Sequence, residues 1–161
     1  MAKTLIGVMG PGESATPELC QTAYELGYQI AQQGWGLLTG GRNVGIMAAA
    51  SQGAKAAGGL TVGILPDSDA RYCAEAVDIA VITDLGSARN NINVLSSQVV
   101  IACGIGAGTA SEIALALKAQ RPVILLQIDR GLGDCFQTLT VEPISQVNTA
   151  TEAIAAAQQC L

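Results

Sequence analysis

Val99-Val100-Ile101-Ala102-Cys103 runs directly into Gly104-Ile105-Gly106-Ala107-Gly108-Thr109-Ala110-Ser111-Glu112. The first five residues are an unbroken apolar run. A strand with one wet face would alternate with polar residues, so this one reads as a strand covered on both faces. The glycines form a tight turn, and a helix follows as far as Ala119. Strand, glycine loop and helix together make the repeating unit of a parallel sheet.

The unit recurs along the chain. Leu5–Met9 reads as a strand, and Gly10-Pro11-Gly12 as its turn. Thr16-Pro17-Glu18 then has the order of an N-cap, a proline in the first turn and an acid near the helix dipole. Gly36–Thr39 is the next strand, Gly40-Gly41-Arg42-Asn43 its loop, and Val44–Ala57 its helix. Leu60–Leu65, Asp78–Thr83 and Val123–Gln127 read as further strands, and Ser87–Ser97 as a helix. Arg130–Val147 reads as a short helix and an edge strand, and Thr149-x-x-Glu152 is a capping box before a closing helix. The expected fold is α/β and Rossmann-like: a doubly wound, mostly parallel sheet of about 6–7 strands with helices on both faces. One domain spanning residues 1–161 accounts for the whole pattern.

Composition narrows the function. Half the chain is hydrophobic, enough for one continuous core and too much for disorder. The net charge of −5 and the absence of a basic cluster argue against nucleic acid and anionic membranes as partners. There is no histidine, which excludes Ser-His-Asp and Cys-His mechanisms and disfavours a zinc site. The five cysteines form no C-x-x-C pair and read as buried free thiols in a cytoplasmic protein. No leader is expected before the strand that follows Lys3, and the uncharged stretch Asn90–Ser111 is too rich in asparagine, serine and glycine to span a membrane.

Three glycine turns after strand ends would share one edge of such a sheet, where ligands of open α/β proteins bind. Each turn lets the backbone approach an anion and presents the free amides of the next helix. This makes Gly10, Gly12, Gly40, Gly41, Gly45, Gly104, Gly106, Ala107, Gly108 and Thr109 candidate binding residues for a phosphorylated small molecule. Arg42 and Arg89 each stand at a helix start, where the macrodipole disfavours a cation unless an anion is shared. Asn43, Asn90, Asn93 and Ser97 add neutral hydrogen-bonding groups. Thr109 and Glu112 are spaced as a capping box, which spacing alone favours over a role at the pocket lip. Asp67, Asp69 and Arg71 read as solvated loop residues. The glycine spacing and Gln127 do not match the dinucleotide fingerprint, so no NAD is expected. None of the three lysines lies on these loops, so no pyridoxal phosphate is expected either.

Gly106-Ala107-Gly108-Thr109-x-x-Glu112, with Arg89 opening the preceding helix, resembles the cytokinin-activating "lonely guy" phosphoribohydrolases, long labelled lysine decarboxylases. Gly104, Ile105 and Asn90 replace that family's proline, first glycine and lysine. Gly40-Gly41 with Gly45-Ile46-Met47 is similar to its second glycine loop. The Gly10-Pro11-Gly12 opening, Arg89-Asn90 and Ser111–Ala116 resemble most the shorter branch containing the molybdenum cofactor carrier proteins. The likeness runs from about Leu5 to Leu126. It implies a homo-oligomer, tetramer or dimer, that binds molybdenum cofactor, a phosphorylated pterin. The alternative it implies is a nucleoside 5′-monophosphate phosphoribohydrolase, with Arg89 and Glu112 as the catalytic pair.

Overall fold

A computed structural model describes residues 2–161. Seven strands form one sheet: β1 (Leu5–Met9), β2 (Gly36–Thr39), β3 (Thr61–Leu65), β4 (Ile79–Ile82), β5 (Val99–Cys103), β6 (Val123–Leu126) and β7 (Ser145–Val147). Six helices connect and close them: α1 (Pro17–Gln32), α2 (Gly45–Ala56), α3 (Arg89–Leu95), α4 (Ala107–Lys118), α5 (Arg130–Gln137) and α6 (Ala150–Gln159). The strand order is β4-β3-β2-β1-β5-β6-β7, and every pairing is parallel. The chain therefore winds outward from β1 to β4, then crosses back to place β5 on the other side of β1. A doubly wound sheet binds its ligand in the crevice at such a reversal.

Strand residues alternate between two cores. Ile6, Val8, Val99, Ile101, Ile124 and Leu126 face α1, α2 and α6. Met9, Leu38, Val100, Leu125 and Ile64 face the layer that includes Val94, Ile113 and Phe136. This double burial is why the central strands contain no alternating polar residues. Helix ends follow their local chemistry: the Thr16 side chain caps α1, and Thr149 and Glu152 form a reciprocal capping box on α6.

Three expectations need correction. The helix placed at Ser87–Ser97 is split into a 3₁₀ turn, Gly86–Ala88, and the shorter α3. Asp84 and Gly86 both adopt positive φ, which prevents a continuous helical start there, and Ser87 does not act as the cap. Thr109 and Glu112 form no capping box. The helix begins earlier because Gly106 takes the extended N-cap position, which leaves Thr109 already inside the first turn. All five cysteines are free, but only Cys103 is buried; its thiol is pushed up to about 12, first by burial. Among the described residues, no helix is long and apolar enough to cross a membrane.

Candidate functional site

The ends of β1, β2, β3 and β5 open into one cleft of about 900 Å³. Three glycine-bearing turns reach it, through Gly10 and Gly12, through Gly40, and through Gly106 and Gly108. The start of α4 is its most open feature. Gly106 has no side chain to cap the helix, and the amides of Ala107, Gly108 and Thr109 find no acceptor among the described residues. Thr109 Oγ1 is likewise buried without a partner. Unfilled donors at a helix N-terminus attract an anion through both hydrogen bonding and the dipole. By contrast, the start of α2 is partly occupied from within, because the Ile46 amide donates to the Pro11 carbonyl at 3.1 Å.

Arg89 crosses the floor of the cleft. Its Nη1 donates to the carbonyls of Gly40 and Ile64, at the ends of β2 and β3, while Nε is buried without an acceptor. Gly40 is required for this contact, since a Cβ there would overlap the guanidinium. Burial pulls the Arg89 pKa down; the Glu112 charge opposes this, and Arg42 adds to it. Arg89 still carries its charge, since arginine has a pKa far above neutrality.

Glu112 faces the cleft with only 7% of its surface exposed. Asn93 Nδ2 donates to its Oε1 at 2.8 Å. Burial pushes the carboxyl pKa up, partly offset by the Asn93 hydrogen bond and the nearby Arg89 charge. A carboxyl group held toward its protonated form beside an anion cradle can donate a hydrogen bond or a proton to a ligand. Asn90 Nδ2 donates to Ser111 Oγ, which in turn donates to the Gly108 carbonyl, tying α3 to the first turn of α4.

Arg42, Asn43, Asn90, Ala107 and Thr109 line the cleft wall, alongside Arg89 and Glu112. The remaining candidates shape the site from behind it. Gly41, Gly45 and Gly104 adopt positive φ in the turns. Asn93 orients Glu112, and Ser97 donates to the Asn93 carbonyl while packing against Gly7. Sequence reasoning missed Arg71, Tyr72 and Cys73, which line the cleft from the loop after β3, and also Pro11 and Met47. The Arg71–Cys73 loop is held in place by backbone hydrogen bonds to the distant β2 loop, so its local sequence carries no sign of this role. Three of the chain's eight lysines and arginines line the cleft, despite a net charge of −5.

Fold and cleft together define an open α/β protein with a cleft at the switch point between β1 and β5. The chain belongs to the SLOG cluster4 family, which it matches over residues 3–159. It is similar to the structure of the molybdenum cofactor binding protein from the phototrophic bacterium Rippkaea orientalis. The two share 57% identity over 99% of this chain and 98% of that one, with a TM-score of 0.95. It is also similar to the molybdenum cofactor carrier protein from Chlamydomonas reinhardtii, at 48% identity over 99% and 98% of the two chains and a TM-score of 0.93. A cytokinin riboside 5′-monophosphate phosphoribohydrolase from Mycobacterium tuberculosis is 35% identical over 105 residues, or 60% of this chain and 52% of that enzyme.

Proposed function

We propose that the protein binds molybdenum cofactor as cargo and acts as a carrier. The observation that carries this reading is the full-length 57% identity with a molybdenum cofactor binding protein. The chemistry of the cleft fits such a ligand. The free amides of Ala107–Thr109 and the unpartnered Thr109 Oγ1 suit a phosphate. Arg89 supplies balancing charge, and Glu112 and Asn90 offer hydrogen bonds to polar groups of the ligand. The working form in this proposal is a cytoplasmic homo-oligomer, supported by the exposed apolar residues Ile79, Val81 and Ile82 on the edge strand β4.

A second reading, phosphoribohydrolase activity, is favoured by one specific observation. Glu112 is not spent on a helix cap; it is a buried carboxyl group facing the cleft. A paired assay separates the two. Under the carrier reading, molybdenum cofactor survives longer with the protein than without it, and AMP or a cytokinin riboside monophosphate releases no base. Base release that disappears in Glu112→Gln would overturn the carrier reading in favour of the enzyme.

A further inference from the structure

The cleft is longer than a phosphate requires. It extends from the loop after β5 to the loops after β2 and β3. The β2 and β3 ends lie two and three strand spacings from β5, about 10 and about 14 Å at the usual spacing of about 4.8 Å. The α4 end holds free amide donors. The far end is built differently, by Arg42 from the β2 loop and by the arm Pro66–Glu75 that follows β3.

Charge decides what the far end can take. Arg42 lies 3.8 Å from Asp67, and Arg71 lies 3.1 Å from Asp69. Arg42 and Arg71 are each matched by a carboxylate, so neither brings surplus charge for a second phosphate, and the nearby Arg89 Nη1 is already held by the Gly40 and Ile64 carbonyls. A flat surface is also present: the Arg42 guanidinium carbon sits 5.3 Å from the centre of the Tyr72 ring, within cation–π range. Among the described residues, Tyr72 is the only aromatic lining the cleft, and it is 50% exposed. Planar guanidinium and phenol groups are the surfaces on which heterocycles stack.

The arm is also fixed in advance. The Asn43 amide donates to the Tyr72 carbonyl and the Ala74 amide to the Gly41 carbonyl, both at 2.8 Å, and Arg42 bridges to Cys73. A wall fixed in this way loses little conformational freedom when a ring packs on it.

We propose that Tyr72 and Arg42 form the ring-recognition end of the site, which takes an uncharged planar heterocycle while the α4 start takes the phosphate joined to it. This inference rests on the small-molecule binding reading above and specifies how the ligand lies. Neopterin monophosphate, followed by its own fluorescence anisotropy, tests it, with ribose 5-phosphate, which carries no planar heterocycle, as a competitor followed by calorimetry. Tyr72→Ala is expected to weaken neopterin monophosphate about tenfold and to leave ribose 5-phosphate unchanged. Tyr72→Phe, which keeps the ring, is expected to bind both as wild type does. Equal loss of both probes in Tyr72→Ala, or loss of neither, overturns the proposal. If wild-type protein binds ribose 5-phosphate as tightly as neopterin monophosphate, ring recognition fails while anion binding stands. If it binds neither, both readings fall together.

Discussion

A buried carboxyl group with a single amide donor, such as Glu112, is harder to ionise than one in solvent. Its folded pKa lies above the unfolded value of about 4.3, so the native state binds the proton more tightly. The stability this contributes is fully present below the unfolded value and is lost as pH rises through the folded one. Glu112→Gln removes the titration and keeps an acceptor for Asn93. Thermal denaturation is expected to show this variant gaining on wild type as pH rises from about 4 to about 8; a pH-independent difference would contradict the assignment. Arg89→Ala is expected to cost about 1–3 kcal/mol in urea unfolding, because the Gly40 and Ile64 carbonyls lose their shared donor. The same change should weaken phosphate binding in calorimetry. The sequence showed Arg89 and Glu112 plainly as candidates, but Thr-x-x-Glu spacing could not separate a cap from a cleft carboxylate. The choice depends on where the helix begins, and the extended backbone of Gly106 settles it.

At the level of elements, α1 and α2 pack so closely that Gly27 lies against the Ala50 carbonyl and Gly53 against that of Tyr24. Gly27→Ala would force the two helices apart, at an expected cost of about 1–3 kcal/mol, read as a lower urea midpoint with an unchanged m-value. Thr149→Ala should cost about 1 kcal/mol through loss of the α6 cap. Most strands and helices were readable to within a residue or two, because aliphatic runs and glycine turns punctuate them. The 3₁₀ turn at Gly86–Ala88 and the cleft position of Tyr72 were not. Both depend on partners far along the chain, such as the Pro66 carbonyl for Gly86 and the Asn43 amide for Tyr72.

For the molecule as a whole, the alternation of strands and helices made the doubly wound sheet legible, whereas the exposure of its edge was not. β4 reads as a strand like the others, yet all four of its residues are exposed because it lies at the sheet edge and packs substantially only on β3, with no helix over it. If that edge is where copies of the chain meet, Val81→Lys should yield a smaller species by light scattering while retaining the helical signal. An unchanged mass would move the interface elsewhere. The sheet order has a kinetic consequence as well. The cleft exists only once Ile6 lies beside Val99, a pairing that joins the beginning of the chain to a segment far along it. Contacts of such long sequence separation form slowly, since most of the loop-closure entropy is lost before they contribute. In a refolding time course, helical signal should therefore rise first and the capacity to hold a ligand should arrive last. A ligand that binds only the completed cleft would in effect select for chains that have finished folding.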